Sequence, residues 1–567
     1  MRPTAASEKP GDSSWKLPAF SLDTETLTKI HPGDQPAGPV IEVIPAASVR
    51  PTADGPKLSR DCPFCLARDS LTIIGFQAAT LTSVTIDQLF ASPFNDDKKL
   101  LTFSDSVQDA AHRAGFFGAR TWRTNLRIAM LRVIREREGL TLAELADALG
   151  ARWKKRMDVP TWVSTFLAPN MAWLDDWGSL GSDGKLPADS DLEALIDRRL
   201  GYEVDVEFGL QAGIGRSLTR TGTATVALDP ARLERAVGAL VEPLRNEVPG
   251  LREVSSEAVR HFVVGLLHFL RTRGGILARS LPDEYVESSG RDVHAFKRTR
   301  ALPVYGRTSR LPAFLTDRSR SVRFETWGGK SWYSRWVGHC FGAGQTLTAD
   351  SASTYPVVLP VLVSAGLLSE RTGKKGEGIW GLDESALVVT SQVAAVACDR
   401  CGNRTHVAAR ERDLWLGLPC LTARCQGNYA VDPMPAQDYF GRLYAGGHLQ
   451  RIFTEEHTGL LDRGERERVE REFKARPGPP DDPEARKPWF ANLLSCSPTL
   501  EMGIDARPGQ LPPAHRPGRE AGRQRPGARP NVGLAPANPG RRSCPVGRPL
   551  TAEHACSASD TDHRRGV

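Results

Sequence analysis

Four cysteines set the tightest constraint on what this chain can fold into: Cys398-x2-Cys401-x18-Cys420-x4-Cys425. Each short spacing makes a knuckle that presents two thiolates to one point, and the stretch between the pairs has room for two strands. That is the layout of a zinc ribbon, expected over 393–432. Four thiolates complete the tetrahedral shell of Zn²⁺ and leave no open position, so such a site is structural rather than catalytic. Its binding energy becomes folding energy for a module with little core of its own. His406 is either an alternative ligand or a surface residue. A second knuckle, Cys62-x2-Cys65, has no cysteine and only His31 before it, so it is either half of a second metal site or a plain turn.

Paired cysteines in a long chain point to metal in a reducing compartment rather than to disulfides. The first twenty residues hold no apolar leader core, and no run approaches the ~18 apolar residues of a membrane span. The expected location is therefore the cytoplasm, with no membrane partner. The net charge of +7 suggests a nucleic-acid partner only until it is located. Residues 506–567 carry 11 Arg, no Lys and 4 acidic residues, which accounts for the whole excess; 1–505 balance at 63 basic and 63 acidic side chains. Charge alone gives no ground for such a partner.

The chain divides by texture. Residues 1–57 are rich in Pro, Gly, Ser and Thr and read as extended, poorly anchored chain with an apolar run at Val40–Ala46. Within 58–135, Lys98–Ser104 reads as a strand, with Asp105 as the N-cap of a long amphipathic helix that is either continuous or broken near Gly115–Gly118. Residues 136–350 form a mixed, mostly helical insert, with helices at Thr141–Leu149, Pro230–Leu244 and Ser256–Arg271. Residues 351–392 give helix, basic Gly-rich turn, hairpin and a final strand. That order suits a winged helix, although Pro360 argues against its helix. Alternating α/β text returns over 433–505, with strands at Leu449–Thr454 and Phe490–Ser495 flanking a helix at Arg463–Phe473.

Three segments end a buried strand in small polar residues. They are Leu100–Ser106, Glu455-Glu456-His457-Thr458-Gly459 and Leu493–Asp505 with Thr499, Gly503 and Asp505. Ligands bind at the carboxyl edge of an open α/β sheet, where helix N-terminal amides suit a phosphate. Taken together and in this order, the segments resemble the second RecA-like lobe of superfamily-2 DEAD/DEAH-box helicases, in particular large bacterial members with zinc-binding inserts. The resemblance covers about 90–130 and 440–505. It implies that Ser104, Asp105, His457, Thr458, Gly459 and Thr499 grip the nucleic-acid backbone, with DNA the expected track, and that Gly503 and Asp505 face bound ATP.

ATP hydrolysis needs a P-loop, an acidic Mg²⁺ site and arginines across the cleft. No Gly-x4-Gly-Lys-Ser/Thr occurs; Gly328-Gly329-Lys330-Ser331 shares only a few letters with it. ATP and Mg²⁺ are therefore expected only together with a missing first lobe, which a separate partner chain would carry. Residues 506–567 contain no Ile, Phe, Trp, Tyr, Met or Lys, too little apolar surface to offset ordering entropy. They are expected to be a disordered basic tail or an out-of-frame translation of a GC-rich gene. The expected fold is α/β: an incomplete RecA-like parallel lobe, interrupted by a mostly helical insert with a winged-helix-like piece and a zinc ribbon, between disordered termini. The alternatives are a non-enzymatic zinc-ribbon/winged-helix DNA-binding or scaffold protein, and a truncated remnant without function.

Overall fold

The computed structural model describes residues 98–104 and 107–497, with gaps at 307–308, 319–322, 343–346, 423–424, 433–438, 450, 480–481 and 483–484. It also describes short stretches within 20–59 and 82–90. Cys62, Cys65, Asp105, Thr499, Gly503, Asp505 and the 506–567 tail lie outside the described residues.

Three parallel strands that are distant in the chain form one sheet. Leu493–Cys496 is central, flanked by Leu100–Phe103 and Thr454–His457. Leu493 and Leu494 point to opposite faces, as successive strand residues must. Leu493 packs with Leu100, Ile452 and Phe117 beneath the helix Val107–Glu136. Leu494 packs with Leu101, Val469 and Phe473 beneath the helix Arg463–Lys474. The sheet is thus a middle layer with one helix on each face, the arrangement that buries both sides of a parallel sheet.

The first helix runs unbroken for 30 residues, about 45 Å at 1.5 Å per residue, straight through Gly115–Gly118. Its second half carries Ile128, Leu131, Val133 and Ile134 into the core of the insert. The insert helices form at the expected places as Leu142–Lys154, Pro230–Glu247 and Ser256–Thr272. Thr141 and Glu144 close a capping box on the first of them, worth about 1 kcal/mol.

In 351–392 the helix spans Leu347–Ser364 despite Pro356 and Pro360. Burial of Tyr355, Val358, Leu359 and Leu362 holds it together against the cost of the prolines. The hairpin Leu368–Thr372 and Gly378–Leu382 follows, but its third strand is Leu315–Thr316 from the preceding segment. The last strand, Leu387–Thr390, leaves the hairpin and pairs with Thr225–Leu228.

Two expectations shift. The strand placed at Leu449–Thr454 begins only at Thr454, because the Asn492 side chain already holds the backbone there: Phe453 N donates to its Oδ1 and its Nδ2 donates to Arg451 O, both at 2.9 Å. The N-terminal segment, expected as extended and poorly anchored chain, is extended but paired. Phe20–Asp23 pairs antiparallel with Lys29–Ile30 and Val40–Val43, and Ser48–Thr52 forms a hairpin with Gly55–Ser59. Among the described residues no helix is long and apolar enough to cross a membrane.

Candidate metal centre and strand-edge site

The strands Val393–Cys398, Arg404–Ala408 and Tyr429–Val431 make an antiparallel sheet with the first in the middle. Cys398 ends the central strand, and the turn to Cys401 closes with Gly402 at φ +66°. The second knuckle is held by Cys420 N donating to Gly427 O at 2.8 Å and Cys425 N to Thr422 O at 3.1 Å. These turns gather all four sulfurs within 4.8 Å of one another. Cys398–Cys425 and Cys401–Cys420 stand 3.6 Å apart, Sγ to Sγ. A tetrahedron with bonds of about 2.3 Å has edges of about 3.8 Å, so the four thiols are positioned to hold a metal ion. Burial pushes the Cys401 thiol up to about 11 and that of Cys398 higher still. An ion binding there must displace protons, which weakens binding in acid. His406 lies on the strand Arg404–Ala408, buried and outside the four-thiol group.

The ribbon does not stand alone. Trp415 packs edge-on against His268 of the helix Ser256–Thr272, with ring centroids 4.7 Å apart. Trp332 Nε1 donates to Leu421 O at 3.0 Å. The cysteine knuckles are therefore anchored to the helical insert from two sides.

The second constellation lies at the carboxyl edge of the parallel sheet. Phe103, Cys496 and His457 are in register, so the residues that follow come together. Ser104 N donates to Cys496 O at 2.9 Å, and Ser497 N to His457 O at 3.3 Å. Ser104, Thr458 and Ser497 are all buried. The hydroxyls of Ser104 and Thr458 have no hydrogen-bond partner, and neither has that of Ser495 one residue inside the sheet. Each such buried hydroxyl costs about 1–3 kcal/mol unless a partner satisfies it, which makes this edge a candidate site.

His457 behaves differently. Its ring is buried, with Nε2 3.1 Å from Glu470 Oε1 on the covering helix. That contact fixes the strand to its helix and turns the imidazole away from solvent. Gly459 and the largely exposed Leu460 form the tip of the loop. Burial raises the Glu455 and Glu456 carboxyls above the usual range, with further upward pushes from neighbouring carboxylates.

Of the residues expected at this edge, the structure brings together Ser104, Thr458 and the His457 backbone. Ser495 and Ser497 join them unforeseen, although a Ser-x-Ser at a strand end was a readable signal. The P-loop look-alike is a helix start: Ser331 caps the helix Trp332–Phe341 by accepting from Ser334 N. No protein-family model matches the chain, and neither a curated protein nor a solved structure matches it.

Proposed function

We propose that this chain supplies the second motor lobe of an ATP-driven nucleic-acid helicase of the superfamily-2 DEAD/DEAH-box type. The observation that carries the proposal is the parallel sheet. Three segments separated by up to about 400 residues, each suspected from its own residues, lie side by side and open on one edge with unpartnered buried hydroxyls. In this reading Ser104 and Thr458 donate to backbone phosphates of a strand, His457 holds the loop that carries Thr458, and Gly459 lets the strand approach. Asp105 and Thr499 extend the same grip; Gly503 and Asp505 face ATP held by a first lobe on another chain. The ribbon holds Zn²⁺, whose preference for four thiolates fits the donor set. It ties the insert together and takes no part in turnover.

A second reading has an observation of its own. Two helices followed by a hairpin, with Leu315–Thr316 as its third strand, are the order that a winged helix would use. The tip of its wing carries Lys374 and Lys375, both exposed. A zinc-ribbon and winged-helix module that binds DNA without catalysis uses this surface rather than the sheet edge.

ATP turnover and single-stranded DNA binding by the full chain test the proposal. The chain alone should not hydrolyse ATP. Ser104→Ala with Thr458→Val should weaken DNA binding about tenfold or more, whereas Lys374→Ala with Lys375→Ala should change it little. The opposite ranking favours the wing. Turnover by the isolated chain would contradict the assignment of a lone second lobe.

A further inference from the structure

A cavity of about 250 Å³ opens at the seam between the ribbon and the helical insert, far in sequence from the parallel strands. Its walls come from the 212–220 loop, the last turn of the helix Ser256–Thr272, and ribbon residues beside the metal-binding knuckles. No Asp or Glu is among its lining residues; Arg220, Arg404, His268 and several threonines are.

The hydrogen bonds around the cavity leave several of its polar groups free to donate. Thr219 is 4% exposed and its hydroxyl has no partner. Arg271 Nη2 lies 3.3 Å from His268 Nδ1. A guanidinium can only donate, so Nδ1 accepts and the imidazole proton sits on Nε2. Burial and the adjacent Arg271 hold that ring neutral. Asn403 Nδ2 donates to the Tyr429 hydroxyl at 3.1 Å, which leaves the phenol proton to donate elsewhere. Arg220 spends one N–H on Arg404 O at 3.2 Å and keeps the rest. Arg404 is itself paired with Asp432 at 2.5 Å, so Arg220 supplies the uncompensated charge.

Four donors of different kinds line one cavity, with the Arg220 charge uncompensated and no carboxylate among the lining residues. A compact anion with several acceptor oxygens satisfies that set; a cation or an apolar molecule does not. The volume lies just below the ~300 Å³ at which drug-sized pockets begin, room for a phosphoryl group on a small body. We propose that this cavity is a phosphoryl-binding site, taking the phosphomonoester of a free small molecule or of a nucleic-acid 5′ end. It is independent of the motor reading and stands or falls apart from it.

The test titrates the full zinc-loaded chain with inorganic phosphate, followed by ³¹P NMR and calorimetry. Saturable binding at millimolar concentration is expected. Thr219→Val should weaken it about tenfold or more, since a hydrogen bond to a charged group is lost. The same variant should fold as stably as the wild type or more so, because an unpaired buried hydroxyl is removed. Arg220→Gln should weaken binding at least as much. Displacement of phosphate by a nucleoside monophosphate identifies a free ligand. Displacement by a 5′-phosphorylated oligonucleotide, but not its 5′-hydroxyl counterpart, identifies a strand end; either result upholds the site. Absence of saturable phosphate binding, or equal binding by the wild type and both variants, overturns it.

Discussion

Gly427→Ala should disable the proposed zinc site without replacing any of its four cysteines. A Cβ at 427 would stand 2.5 Å from Cys398 Sγ and 2.9 Å from Arg400 Cβ, and closer still to the Asp399 carboxylate. Ordinary contact lies near 3.5–4.0 Å, so some group has to move by about 1 Å. The 427 backbone cannot retreat freely, because its carbonyl accepts from Cys420 N at 2.8 Å and that bond positions the opposite knuckle. The sulfur therefore moves, and about 1 Å on a bond of about 2.3 Å removes it from the shell. Structural Zn²⁺ binding is worth about 10–16 kcal/mol. Shared among four thiolates, that is about 2.5–4 kcal/mol per ligand, or roughly 10²–10³ in affinity. Gly402→Ala is the control: its φ is +66° but nothing lies within 4 Å of the added carbon. It bears only left-handed strain of about 1–2 kcal/mol. Competition with a chromophoric chelator gives the affinities, and Co²⁺ substitution reports thiolate coordination by its charge-transfer absorption. A Gly427→Ala protein that binds zinc like the wild type, or less impaired than Gly402→Ala, would refute the steric reasoning.

Asp205 accepts from the Ser280 hydroxyl at 2.6 Å, and burial raises its carboxyl to about 8. The folded state thus holds its proton more tightly than the unfolded chain. The stability it contributes is complete below about pH 4 and lost as pH rises to about 8, at up to about 1.4 kcal/mol per pH unit. Asp205→Asn should flatten the urea midpoint across that window; an unchanged slope would remove Asp205 as the cause. Gly265→Ala gains about 1 kcal/mol of helix propensity, but its Cβ meets the Trp336 indole, which Phe262 O fixes at 3.0 Å. Overpacking of about 1–3 kcal/mol should win and lower the melting temperature, whereas Gly238→Ala, with open space, should raise it. Arg127 Nε reaches both Glu207 oxygens at 3.0 Å, and Glu207 also accepts from Leu218 N. Arg127→Met strands a buried carboxylate at about 3–5 kcal/mol. Adding Glu207→Gln should recover part of that in denaturant melts; strict additivity would deny the coupling.

What the sequence revealed was chemistry at short range. Cysteine spacing located the ribbon because ligand geometry acts over a few residues. The turns after Phe103 and His457 were visible because a buried strand ending in small polar residues is a local pattern. Pairing between remote strands was not visible. Nothing in Leu315-Thr316 tells that two residues complete a hairpin some fifty residues later, nor that Leu387–Thr390 belongs with Thr225–Leu228. The inward turn of His457 was hidden for a related reason. It depends on the helix Arg463–Lys474 bringing Glu470 across the strand, and Glu470 by itself reads as one more charge on a solvated helix.

The long helix Val107–Glu136 explains how an insert this large can interrupt a sheet this small. Its first half covers the sheet through Phe117, while its second half is core to the insert. Arg132 Nη2 donates to Gly447 O at 2.7 Å, just before the chain returns to the sheet, and Arg451 reaches the carbonyls that end the helix Val159–Phe166. The return is thus clamped to the rod by Arg132 and to the helix Val159–Phe166 by Arg451. A packed helix resists bending, because each shifted side chain must find new neighbours in an interior without voids. In the proposed motor, force on Ser104 and Thr458 would reach the insert through the helix Val107–Glu136.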